Sequence, residues 1–335
     1  MLVARLGEEA LLEKMRDLFE VQAPSVAVGI GDDAAVIEPP DAKSQEVWTT
    51  DLMAEGIHFK TAWQTSRQLG RKSLAVNLSD IASMGASPRH ALLSIACNPK
   101  TRVDFVIGIC DGIKELATES GVTIIGGDTS ASDEGMVISI TVGGWVPAGE
   151  ATLRNGARVG DRICVTGYVG CAAAGLRLVD AGVSETWPQL HHAFISPTAR
   201  ISAGIAAREA GVTAMTDLSD GLASDLKHIC DQSQVGAVVA FEDLLVHPEL
   251  RQAAVANGWD LEDLVLTGGE DYELLFTLPP AKHDELSRAI EDAAGVPVTQ
   301  IGEIVSRTAG LHITGADGSS RHFPPHGFEH FADNG

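Results

Sequence analysis

Carboxylates set beside glycine, serine or threonine recur through this chain. Gly29-Ile30-Gly31-Asp32-Asp33-Ala34-Ala35 is the first such stretch. Thr49-Thr50-Asp51, Asn77-Leu78-Ser79-Asp80, Gly126-Gly127-Asp128-Thr129 and Asp217-Leu218-Ser219-Asp220-Gly221 follow. The donors are carboxylate and hydroxyl oxygens, which suit Mg2+, Mn2+ or Ca2+. The stretch 217–221 lacks the alternating ligands of a calcium loop, so Mg2+ completed by a substrate's phosphates fits best. The glycine spacing at 29–34 also matches a dinucleotide loop. Two carboxylates there would repel the pyrophosphate such a loop cradles, and no clean G-x-G-x-x-G helix start follows. Taken singly, each aspartate reads as a turn former or helix cap, as Ser219 or Asp220 would be before Gly221-Leu222. Their recurrence, with glycine beside most of them, favours a metal site.

The elements that must position these groups follow from hydrophobic periodicity. Residues 1–20 read as an amphipathic helix, with short strands at 26–30 and 34–37 flanking the Gly-Asp turn. A strand at 47–50 runs into Asp51. A helix over 66–84 places Asn77 and Asp80 on a face adjacent to Leu74, Leu78 and Ile81. Further strands are expected at 90–96, 122–125 and 136–146, and a helix at 103–120. The second half carries strands at 162–166, 213–216, 237–241, 272–277, 297–304 and 310–314. Helices are expected at 171–181, 187–194, 198–210, up to about 230, and 282–294. Open α/β sheets gather ligands beyond the carboxyl ends of their strands. Asp51 and Asp128 at strand ends, Asp217 after a strand and Asp220 opening a helix are therefore expected to converge on one cleft. Pro147, Gly149 and the polar stretch 154–161 mark a boundary between two α/β or mixed α+β domains, 1–148 and 149–335.

The 335 residues carry a formal net charge of −22, so a large basic face for nucleic acid or anionic membrane is not expected. A phosphate substrate would need a cation to offset that charge. Cys97, Cys110, Cys164, Cys171 and Cys230 form no C-x-x-C pair, which suits small buried thiols in a reduced cytoplasmic protein. No apolar run is long enough to span a membrane. The P-loop, protein-kinase, G-x-S-x-G and H-E-x-x-H signatures are absent. His191-His192 read as surface. His322, His326 and His330 have helical spacing, but Pro324, Pro325 and Gly327 forbid a regular helix there.

The stretches named above occur in one order together with Gly56-Ile57-His58-Phe59, Met84-Gly85-Ala86, Asp225, and Gly268-Gly269-Glu270-Asp271-Tyr272-Glu273-Leu274. In that order, from about residue 25 onward, the chain resembles the thiamine-monophosphate kinase family. The resemblance implies a two-domain fold shared with aminoimidazole-ribonucleotide synthetase and selenophosphate synthetase, with N-terminal strands pairing across a homodimer. It implies ATP-dependent phosphorylation of thiamine monophosphate to thiamine diphosphate with several Mg2+ ions. Carried over by position, Asp33, Thr49, Thr50, Asp51, Asp80, Asp128, Asp217 and Asp220 are metal-binding positions. Gly127, Asp128, Arg154 and Ser219 are nucleotide contacts, and His58, Glu270 and Phe328 substrate contacts. Asp32, pointing away from Asp33 in an extended chain, is left a turn role or one supporting the metal ligands from behind.

That chemistry needs no general base. The second pKa of a phosphate monoester is about 6, so the acceptor is already ionised near neutrality. Positioning and charge neutralisation carry phosphoryl transfer. An acidic side chain and an aromatic face suit the thiazolium cation of thiamine. Two rivals differ in what they consume. A ring-closing ATP-dependent synthetase of the same fold would not phosphorylate thiamine monophosphate, and a divalent-cation binding protein would not use ATP.

Overall fold

The computed structural model describes residues 43–183, 186–315 and 319–323 and, before them, 3–6, 14–15, 17–19, 25–28, 36–37 and 41. Two compact units form, one of residues 1–81 with 86–149 and one of 82–85 with 150–335. The Asp32-Asp33 loop and Phe328 lie outside the described residues.

In chain order the first unit contains α1 (Val3–Leu6), β1 (Val26–Val28), β2 (Val36–Ile37), β3 (Ser44–Ala54), α2 (Ser66–Ser83), β4 (Ser87–Cys97), α3 (Val103–Ser120), β5 (Thr123–Ala131) and β6 (Val137–Pro147). β1 and β2 pair with each other. The other four strands form a sheet in the order β3-β6-β4-β5, antiparallel except for β4 with β5. α3 makes the crossover that a parallel pair requires. Alternation sends Ala91, Leu93, Ile95, Ile138, Ile140 and Val142 into the core. The opposite face keeps Trp48 and Leu52 about half exposed (49% and 54%). α2 and α3 cross where side chains are absent: a Cβ on Gly70 would lie 2.0 Å from Ile109 O, and one on Gly112 1.9 Å from Arg67 O. Arg67–Glu115 and Arg71–Glu119 ion pairs flank that crossing.

The second unit contains β7 (Arg162–Thr166), α4 (Cys171–Ala181), α5 (Pro188–Ile195), α6 (Ile201–Ala210), β8 (Ala214–Asp217), α7 (Leu222–Ser233), β9 (Val235–Ala240), α8 (Pro248–Asn257), α9 (Leu261–Thr267), β10 (Leu274–Leu278), α10 (His283–Ala294), β11 (Val298–Ser306), β12 (Leu311–Thr314) and β13 (Ser320–His322). Its seven strands run β13-β12-β9-β11-β7-β10-β8, antiparallel except for β12 with β9. Both faces are covered. Ile163, Val165, Leu275, Ile301 and Ile304 join one core, and Cys164, Met215, Leu274 and Phe276 the other.

The fold is mixed α+β, with largely antiparallel sheets, and this removes the premise that ligands gather beyond parallel strand ends. Two expected boundaries also move. Asp51 lies inside β3, which pairs with β6 from Ser44 to Ala54, and does not end the strand. Asp128 lies inside β5, because Gly126 and Gly127 continue it beside Leu92 and Leu93. Glycine suits that position: a Cβ on Gly127 would sit 1.7 Å from Leu93 O.

Candidate active site

In the first unit, consecutive strand residues face opposite ways, so Thr50 leaves by one face of β3 and Thr49 and Asp51 by the other. On the side facing α2, Thr49 Oγ1 donates to Asp80 Oδ2. The Asp51 N–H donates to Asn77 Oδ1 at 3.0 Å. Asn77 is buried, and its Nδ2 donates to Ser73 O at 3.1 Å. Ser73, Asn77 and Asp80 recur at helical spacing, which gives α2 one polar stripe. Thr50 is exposed; its Oγ1 donates to Ile140 O at 3.2 Å and accepts from Thr141 Oγ1 at 3.0 Å.

Asp128 belongs to the cross-strand row Leu52, Ser139, Ser94, Asp128, and so to the face of Thr50. It is exposed, and its Oδ1 accepts the Thr129 N–H at 2.9 Å. β3 and β5 are the two edges of this sheet. Three strand spacings separate them, about 14 Å. Asp51 and Asp128 of one chain are therefore on opposite edges and opposite faces and do not share an ion. His58 sits in the turn after β3, where Gly56 takes φ 89°. Its Nδ1 accepts the Ala54 N–H at 3.0 Å, which puts the proton of the neutral ring on Nε2.

In the second unit, β8 ends at the buried Asp217. One residue earlier, Thr216 Oγ1 accepts from Arg154 Nε at 3.1 Å. The Asp220 N–H donates to Asp225 Oδ2 at 3.2 Å, in the first turn of α7. Burial, then the charges of Asp217 and Asp220, push the Asp225 carboxyl up to about 8, against the opposing Asp220 N–H and Arg154. Negative charge concentrated in this way is what a bound cation would relieve. The N-cap of α7 is Gly221, and no side chain caps it, so neither Ser219 nor Asp220 takes the capping role. Asp225, unassigned from the sequence, joins the cluster because it lies one helical turn beyond Gly221.

The loop before β10 lies against this cluster. The Glu270 N–H donates to Ser219 O at 2.8 Å, the Tyr272 N–H to Leu218 O at 2.9 Å, and the Leu218 N–H to Glu273 O at 2.8 Å. Gly269 permits the contact, since a Cβ there would lie 2.4 Å from Ser219 O. Glu270 and Tyr272 take φ of 67° and 52°, a left-handed conformation that costs about 1–3 kcal/mol per residue. Tyr272 therefore stands outside the expected strand 272–277, which begins at Leu274.

Among the described residues no group of three or more His, Cys, Asp or Glu side chains converges as a finished metal cage. The oxygen donors occur as partial sets, Thr49, Asp51 and Asp80 in one unit and Asp217 and Asp220 in the other. Partial oxygen sets suit Mg2+, which keeps waters and takes phosphate oxygens.

Two family models define the class: the AIR synthase related protein N-terminal domain matches residues 31–146, and the AIR synthase related protein C-terminal domain residues 158–313. Thiamine-monophosphate kinase of Bacillus subtilis (strain 168) is 35% identical over 315 residues, covering 92% of this chain and 94% of that one. The crystal structure of thiamine-monophosphate kinase from Stenotrophomonas maltophilia K279a matches with a TM-score of 0.81 at 34% identity, over 93% of this chain and 96% of that one. The structure described as AaThiL complexed with AMPPCP and TMP matches with a TM-score of 0.76 at 29% identity, over 99% of each chain. The chain belongs to the thiamine-monophosphate kinase family.

Proposed function

We propose that this chain transfers a phosphoryl group from ATP to thiamine monophosphate, giving thiamine diphosphate and ADP. Beyond family membership, the observation that carries this reading is the backbone bond from Glu270 to Ser219 at 2.8 Å. It sets the residue read as the thiamine contact beside the one read as the nucleotide contact. The acceptor phosphate attacks in line without a base, being ionised near neutral pH. Arg154, anchored on Thr216, adds positive charge near Asp225. His58, Glu270 and Phe328 would contact thiamine monophosphate, an acidic side chain and an aromatic ring suiting its thiazolium. Asp33, Thr49, Thr50, Asp51, Asp80, Asp128, Asp217 and Asp220 would hold Mg2+, which supplies charge neutralisation on both phosphate groups. Gly127, held close against Leu93, and Asp128 after it would contact the nucleotide.

The working form is proposed to be a cytoplasmic homodimer. Trp48, Leu52 and Leu92 expose an apolar sheet face on the first unit (49%, 54% and 37%), of the kind a second copy covers. The separation of Asp51 from Asp128 supports this, since donors from two chains can meet where those of one cannot. Among the described residues no helix is long and apolar enough to cross a membrane.

The test is incubation with ATP, Mg2+ and thiamine monophosphate, assayed for thiamine diphosphate, with unphosphorylated thiamine as control acceptor. Formation that stops on adding EDTA is expected. ATP hydrolysis without thiamine diphosphate would overturn the reading.

A further inference from the structure

The turn between α9 and β10 is held by two acidic side chains. Asp271 and Glu273 are tied to distant segments. Asp271 Oδ2 accepts the Gly170 N–H at 2.5 Å and Oδ1 the Ala172 N–H at 3.0 Å, at the start of α4. Glu273 is buried. Its Oε2 accepts from Arg200 Nε at 2.7 Å and from Thr166 Oγ1 at 2.6 Å, and its Oε1 from Arg200 Nη2 at 2.5 Å. Thr166 Oγ1 in turn accepts the Leu274 N–H at 2.9 Å. The pocket admits no more atoms on the β7 side, since a Cβ on Gly167 would lie 2.1 Å from Glu273 Oε1.

Glu270 and Tyr272 flank Asp271 and both take the left-handed conformation. Among the described residues the other non-glycine at positive φ is Gln234, which ends α7 as its C-cap. No helix end accounts for the two in this turn. L-residues disfavour that region, so a backbone turned into it twice in three residues must be held from outside.

We infer that Arg200 is a positioning residue for thiamine recognition. Its planar fork fixes Glu273, with Thr166 and the Asp271 cap completing the clamp. The clamped turn then holds the Glu270 backbone against Ser219, and so fixes the point from which its side chain starts. A lysine keeps the charge at position 200 but not the fork. Arg200 lies 70 residues before Glu270 in sequence and acts through it. This inference rests on reading Glu270 as the thiamine contact.

The experiment is a double-mutant cycle on the purified full chain, with KM measured separately for thiamine monophosphate and ATP. Arg200→Lys is expected to raise the thiamine monophosphate KM about tenfold while the ATP KM moves less than about twofold, because a small misplacement acts on the group it misplaces. On the Glu270→Ala background the same change is expected to add nothing. An equal rise in both KM values, or full additivity with Glu270→Ala, would overturn the role of Arg200 and leave the reading of Glu270 standing. Glu270→Ala with an unchanged thiamine monophosphate KM would remove that reading and the inference with it. If Arg200→Lys does not fold, Glu273→Gln, which keeps the shape and drops one charge, carries the same expectations and the same two ways to fail.

Discussion

The two units place their candidate donors by different means. In the first, Thr49, Asp51, Asp80 and Asp128 sit inside regular strands and one helix, and their directions follow from pleat and pitch. The ladder holds the inner side of each strand there, with Asn77 Oδ1 taking the edge N–H of Asp51, and most of these side chains are additions to that frame. In the second, Ser219, Asp220 and Glu270 sit on loops, and their directions come from cross-loop bonds, left-handed residues and a buried ion pair. The frame there includes side chains. A substitution in the first unit should therefore separate activity from stability, and one in the support of the second should not.

The sharpest break between the two is expected from Asp128→Asn. Loss of one preorganised charge at a phosphoryl-transfer site costs about 10²–10³ in turnover. The melting temperature should stay where it was, because Asp128 is exposed and its Oδ1 accepts the next residue's N–H. Steady-state kinetics beside a thermal melt checks both halves, and a large drop in melting temperature would erase the contrast. Next comes Glu273→Ala, which takes from Arg200 its carboxylate partner in a site where the two side chains are 19% and 6% exposed. Stripping one partner from a buried pair costs about 3–5 kcal/mol, to be read from urea unfolding. A loss under 1 kcal/mol would mean the second unit's loops stand without this clamp. Thr49→Val removes the hydroxyl that donates to Asp80. About 0.5–1.5 kcal/mol of stability is expected to go with it, well below the Glu273 effect in the same urea assay.

The smallest effect concerns the thiols. All five are buried and unbridged. Burial pushes Cys110, Cys164 and Cys230 up to about 12, and raises Cys97 and Cys171 as well. Native protein at pH 8 should give no reaction with a disulfide reagent, and unfolded protein should give five. Rapid labelling of the native chain would show that one of these cores opens.

Much of the element order was legible because periodicity survives in buried strands such as β6 and β7. Boundaries failed where polar residues continue a strand. Thr50-Asp51 and Gly126-Gly127-Asp128 carry turn chemistry, yet β6 and β4 supply the partners that keep them extended. The candidate donors were visible as types, since oxygen-bearing side chains beside glycine are a local pattern. Their division between two faces of one sheet was not, because face depends on register with strands distant in sequence. Arg200 gave no local sign at all; its role comes from Glu273, 73 residues away, which only tertiary structure brings to it.

The burial of every native cysteine has a practical outcome for measuring motion. A cysteine placed at Ile57 in the first unit and another at Val159 in the second, both more than 60% exposed, would be the accessible attachment points for a pair of fluorophores. Energy transfer between them, followed as ATP and thiamine monophosphate are added in turn, would report any change in separation of the two units during turnover without first removing a native residue.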